Sequence, residues 1–111
     1  DFKVFVKNQE VLESAVNRWF DAQENIVVDD VSVGDYGGGL YLVVISYHTG
    51  GMSKSPARLK MIGGENPEAD AQDFLSSLNS SRTVRSVAAV AGSYSSSETT
   101  ITVPLVLIFY E

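Results

Sequence analysis

The feature that most limits how this chain can fold is a hydrophobic pattern that occurs twice. Phe2, Val4 and Val6 alternate with Lys3 as in a short strand. Val11, Leu12, Ala15, Val16, Trp19 and Phe20 then recur with helical period, and Asn8 stands where an N-cap is needed. Ile26 to Val33 and Leu40 to His48 are β-branched runs across the glycine-rich Gly34 to Gly39, which predicts a hairpin. The second half repeats the order β-α-β-β. Ala57 to Ile62 predicts a strand, and Asn66-Pro67-Glu68 opens a helix with a cap, a proline at the first position and an acid facing the dipole. Ala71, Phe74, Leu75 and Leu78 give that helix its apolar stripe, and Thr83 to Ala91 with Thr100 to Tyr110 form a second hairpin across the loop Gly92 to Thr99.

The two halves correspond in register. Phe2 matches Ala57, Trp19 matches Phe74 and Phe20 matches Leu75; Val28 matches Val84 and Val31 matches Val87. Gly34 and Tyr36 match Gly92 and Tyr94, while Leu42, Ile45 and Tyr47 match Leu105, Ile108 and Tyr110, with the offset growing where turns lie. A chain of 111 residues suits one domain, here residues 1–111 with pseudo-repeats 2–48 and 57–110. One such unit leaves sheet edges and a sheet face uncovered, so two should pair. The expected fold is α+β, with both units contributing to a six-stranded, mainly antiparallel, ferredoxin-like sheet. Both helices should lie on one face, making an internal pseudo-dimer. Pro104 should direct its nitrogen toward an edge or a bulge, because it cannot donate to a ladder.

Two strands are apolar at both parities. Leu40, Leu42 and Val44 alternate with Tyr41, Val43 and Ile45, and Leu105 and Leu107 alternate with Val106 and Ile108. Strands of this kind are covered on both faces. Two helices on one face leave the other bare, which predicts a homo-oligomer.

Composition removes several functions. Lys+Arg 8 against Asp+Glu 14 gives a net charge of −6, the wrong sign for phosphate-backbone binding, so no direct nucleic-acid partner is expected. The basic residues are scattered apart from Lys54, Arg58 and Lys60 beside Pro56, which read as a solvated loop. No apolar run approaches a membrane span and the residues that follow Asp1 do not run basic-then-apolar, so the expected protein is soluble and cytoplasmic, without a membrane partner. With Cys 0, no disulfide or thiolate site can form. Asn79-Ser80-Ser81 matches a glycosylation acceptor, which bears only on a secreted chain.

The opening Lys3-Val4-Phe5-Val6, with Leu12-Glu13, Val16-Asn17-Arg18-Trp19, Ile26-Val27-Val28-Asp29 and Ile45-Ser46-Tyr47, resembles a family of very small sporulation-associated proteins of spore-forming bacteria. That resemblance covers residues 2–47 and implies a topology without an activity. The element order is also similar to that of dodecins, which hold flavin against strand tryptophans. Trp19 belongs to a helical stripe, so the flavin contact does not carry over and no cofactor is expected.

Candidate site residues are few. His48 is the single histidine, at a strand end before Thr49-Gly50-Gly51; without Cys or a second His it makes neither a metal site nor a triad. Asp29 and Asp30 are adjacent on a strand and point apart, so no metal site is expected from them or from Asp35. Gly37 and Gly38 belong to a hairpin turn, without the following helix and lysine of a phosphate loop. Gly63-Gly64-Glu65-Asn66-Pro67 precedes a helix, but its acids would repel an anion. Ser95-Ser96-Ser97 has no base beside it in sequence. Tyr36 and Tyr94, at matching places in two hairpin loops, are candidate contact anchors together with Gly37, Gly38 and His48. The expected function is a non-catalytic binding or assembly module that self-associates through apolar sheet surface. A binder of a nucleotide or other metabolite, with its pocket at a protomer interface, is the alternative. An acidic protein blocking a nucleic-acid-binding partner comes third.

Overall fold

The computed structural model describes residues 1–23, 25–50, 57–78, 80–96 and 99–111, with the backbone alone for 94–96. The order is β1 (Phe2–Asn8), α1 (Gln9–Asp21), β2 (Ile26–Gly37), β3 (Leu40–Thr49), β4 (Arg58–Ile62), α2 (Pro67–Ser77), β5 (Val84–Ser96) and β6 (Thr99–Tyr110). The expected β-α-β-β order therefore occurs twice. Asn8 caps α1, its Oδ1 accepting from the N–H groups of Glu10 and Val11 at 3.1 Å. Asn66 does not act in the same way: it makes no side-chain cap bond, and α2 starts on Pro67 with Glu68 and Asp70 in its first turn. The first hairpin turns on Gly38 and Gly39 alone, whose positive φ values of 62° and 79° are those of a primed two-residue turn.

The six strands do not form one sheet. They make two three-stranded antiparallel sheets, ordered β1-β3-β2 and β4-β6-β5. The reason is the doubly apolar β6. Leu105, Leu107 and Phe109 on one face join a core with Leu12, Val16 and Phe20 of α1 and with Phe5, Val43, Ile45, Val28 and Val31 of the first sheet. Ile108 on the opposite face packs with Ile62 and Ala71, with Phe74, Leu75, Val106 and Tyr110 around them. Edge-to-edge pairing would have left one of these faces wet; stacking buries both within the chain. The helices accordingly lie in different layers, α1 against the inner faces and α2 on the outer face of the second sheet, rather than together on one face. Pro104 pairs with Ala91 where β4 has already stopped at Ile62, opposite Val106, so its missing donor faces an unpaired side of β6.

Register sharpens the correspondence between the halves. Val28 opposes Tyr47 and Val84 opposes Tyr110; Val31 opposes Ile45 and Val87 opposes Ile108. The register shift after Val28 recurs after Val84, so Asp29 and Arg85 occupy the same bulge. Trp19 meets Tyr47 edge-on at 5.1 Å, and Phe74 meets Tyr110 edge-on at 5.4 Å. Three sequence matches move: Phe2, Gly34 and, with Gly34, Tyr36, which no longer lines up with Tyr94. Lys3 faces Ile45 and Lys60 faces Ile108, which aligns Phe2 with Leu59 rather than Ala57. Gly34 faces Leu42 and Val90 faces Leu105, which aligns Gly34 with Val90 rather than Gly92.

A stripe of polar residues on α1 fastens the edge of the second sheet. Asn17 donates its amide to the Leu59 carbonyl at 3.0 Å and accepts from the Leu59 N–H at 2.7 Å. One turn earlier Glu13 accepts from the Met61 N–H at 2.9 Å, and one turn later Asp21 pairs with Arg58 at 2.8 Å. These side chains replace the strand that β4 lacks on that side. The seam between β2 and β5 is held by Glu111, buried, which accepts from the Val28 N–H and from Arg85, both at 2.9 Å. Tyr41 also crosses it, donating its hydroxyl to the Ala91 carbonyl at 2.8 Å.

Candidate functional site

The stack leaves the outer face of the first sheet uncovered. In β1, Phe2, Val4 and Val6 face outward; across the ladder they meet Ser46, Val44 and Leu42 of β3, and beyond these lie Asp30, Ser32 and Gly34 of β2. Phe2 is 75% and Val4 53% exposed, with Val6, Leu42 and Val44 half-buried. Strand alternation creates this face: Phe5, Val43 and Ile45 are turned inward to the core, so their neighbours are turned outward. The matching face of the second sheet, with Leu59, Leu105 and Leu107, is buried.

Among the described residues singled out by sequence, Tyr36 and the glycine turn lie at the opposite end of the first hairpin from His48. Tyr36 is exposed and lies in a register shift between Asp35 and Gly37, next to the turn that Gly37 enters; the Asp35 carboxylate accepts from the Gly37 N–H at 2.9 Å. His48 lies at the far end of β3, eight residues past Leu40, or about 26 Å along the strand. Tyr94 pairs through its backbone with Ile101; its side chain lies outside the described residues, as do Gly51, Lys54, Pro56, Asn79 and Ser97. The glycine-rich tip and the histidine therefore cannot line one pocket within the chain.

His48 has a partner that sequence spacing did not show. Its Nδ1 lies 2.8 and 2.9 Å from the two carboxylate oxygens of Asp29, and both side chains are about half-exposed. The bulge at Asp29 turns that carboxylate toward His48, while Asp30 is occupied with the Val31 N–H at 2.9 Å. Among the described residues no group of three or more His, Asp or Glu is placed to hold a metal ion.

Two open clefts flank the helices. One, of about 520 Å³, runs between α1 and β4 and includes Glu13 and Asn17, already bonded to the β4 backbone. The other, of about 540 Å³, lies at the start of α2 between Glu65, Glu68, Gln72 and Pro104, where the acids oppose an anionic ligand as the sequence suggested. No helix among the described residues is long and apolar enough to cross a membrane. Comparison with protein-family models, curated proteins and solved structures finds no match to this chain.

Proposed function

We propose that the protein is a non-catalytic assembly module that associates with copies of itself through the open face of its first sheet. The observation that carries this reading is the contiguous apolar row Phe2, Val4, Val44 and Leu42, on a face whose counterpart in the second sheet is buried. Contiguous apolar patches of this kind mark contact surfaces, whereas scattered apolar residues do not. The two β-α-β-β units are read as copies of one module, supported by their shared bulge and their matching edge-on aromatic pairs. The contact between His48 Nδ1 and the Asp29 carboxylate is half-exposed, and it is read as a surface contact rather than acid–base machinery. Separation along the hairpin keeps Gly37, Gly38 and His48 of a single chain from lining one metabolite pocket, so such a pocket would need residues of two protomers.

Light scattering on the unmodified protein at micromolar concentration tests the reading. A mass of two copies or more is expected, and Val4→Glu should return it to one copy with the far-UV spectrum unchanged, because a carboxylate cannot be buried unpaired cheaply. A single-copy mass for the unmodified protein overturns the proposal.

A further inference from the structure

Each sheet has two unlike faces. One carries the unit's own helix; the other is helix-free. Inside the chain the helix-bearing face of the first unit packs on the helix-free face of the second. That joint is heterologous, since the surfaces meeting there are different surfaces of the two units. It consumes one face of each kind and leaves one of each kind open. The open helix-free face is that of Phe2, Val4 and Val44. The open helix-bearing face is that of α2 and β5, where Val84 and Val87 are 41% and 54% exposed, whereas their register counterparts Val28 and Val31 are 3% and 9% exposed.

We propose that the open face of the first sheet of one copy receives α2 and β5 of a second copy, repeating between molecules the joint that the chain makes within itself. The proposal rests on the self-association reading above and specifies its geometry.

The polar groups needed for the joint are present a second time. The aromatic counterparts Trp19 and Phe74 fix the helix correspondence, and it places Glu68 where α1 has Glu13 and Gln72 where α1 has Asn17. Leu12 and Val16 are buried in α1, and their counterparts Pro67 and Ala71 are buried in α2, which supports the same alignment. Glu68 and Gln72 are exposed. Their receiving edge is open too. Asp1 exchanges both backbone bonds with Tyr47, at 2.9 and 3.0 Å, and ladder alternation then turns the N–H and C=O groups of Phe2 and Val4 to the free edge of β1. Phe2 and Val4 are the register counterparts of Leu59 and Met61, the residues whose backbone Asn17 and Glu13 hold. Gln72 of one copy would thus bridge Phe2 of the next, and Glu68 would accept from Val4. A contact between unlike faces does not exhaust itself in a two-fold dimer; it continues as a chain of copies or closes as a ring.

Mixing two variants, each spoiled on one face, tests this by native mass spectrometry and light scattering. Val4→Glu blocks the first-sheet face and Val87→Glu blocks the α2–β5 face, each weakening association roughly 100-fold or more. Each variant alone is expected to be a single copy, and the equimolar mixture is expected to form a 1:1 dimer that grows no further, because only one intact face of each kind remains in the pair. Gln72→Ala, which leaves both apolar faces intact, should weaken association of the parent roughly tenfold. Phe2→Glu serves as the first-face variant if Val4→Glu does not give a native Trp19 fluorescence spectrum. Continued assembly of Val87→Glu, or a mixture that stays monomeric, overturns the head-to-tail joint while leaving self-association standing. A monomeric parent overturns both.

Discussion

Asn17 offers a direct measure of how far α1 stabilises the second sheet. Its amide makes two bonds to one residue, 2.7 Å from the Leu59 N–H and 3.0 Å to the Leu59 carbonyl, in a half-buried setting. Asn17→Ala removes both and leaves a donor and an acceptor on the β4 edge with nothing else among the described residues bonded to them. Each orphaned group costs about 1–3 kcal/mol when dry, and water reaching this edge keeps the value near the lower end. Alanine returns up to about 0.7 kcal/mol through better helix propensity. The expected net loss is about 1.5 kcal/mol. For a chain of 111 residues that corresponds to a midpoint lowered by about 6 °C. Urea unfolding followed by Trp19 fluorescence is the suitable assay, because this single tryptophan packs on Phe5, Phe20 and Tyr47 and reports the native core. The midpoint should fall with the slope unchanged, at fixed protein concentration so that association contributes equally. Asn17→Asp keeps the acceptor for the Leu59 N–H but turns a second oxygen toward the Leu59 carbonyl, and should be at least as damaging as alanine. A loss below about 0.5 kcal/mol for Asn17→Ala, or a wild-type midpoint for Asn17→Asp, would show that the stripe decorates the edge without holding it.

Glu111→Gln keeps an acceptor for Val28 but loses the charge that Arg85 meets, and should cost about 1.5–3 kcal/mol in chemical denaturation; an unchanged midpoint would remove Glu111 from the seam. At Gly92 an added Cβ would sit 2.8 Å from Leu105 Cβ, so Gly92→Ala should destabilise by about 1–3 kcal/mol, whereas Gly34→Ala, with nothing within 4 Å, should stay within about 0.5 kcal/mol; equal effects at the two sites would contradict the packing described. His48→Ala should change stability by less than about 1 kcal/mol and leave the oligomer mass unaltered, and a loss of turnover on any substrate by orders of magnitude would reverse the non-catalytic reading.

Periodicity made the elements legible and left their assembly open. The alternation in β1, the stripe on α1 and the proline start of α2 each produced the expected element, because local propensity and burial agree there. The hairpins run longer than their glycine content suggested: β2 extends to Gly37 and β5 to Ser96, since ladder bonds continue until the chain must reverse. Of the two doubly apolar strands, β6 is buried on both faces within the chain, whereas β3 is covered only on its inner face, and sequence could not tell the two cases apart. The His48–Asp29 contact depended on a bulge, which shifts a side chain by one register position and leaves no trace in alternation. The open face was half legible: Phe2, Val4 and Val44 were visible as one parity, and their exposure followed only once the stack was known.

The Glu111 seam also bears on the order in which the molecule is made. Glu111 reaches Val28 across 83 positions of sequence, and Asn17 reaches Leu59 across 42. Contacts so distant along the chain form late, after hairpins and helices have closed locally. While a ribosome extends the chain from its N-terminal end, α1 and the first sheet exist before β6 does, with Val28 and Val31 wet until the second unit arrives. Nascent first units thus present an unfilled face meant for their own second half, and a neighbouring chain's second half fits it equally well. Exchange of halves between chains during synthesis is the characteristic hazard of such a build, and slow, dilute refolding is the condition that favours the correct mate.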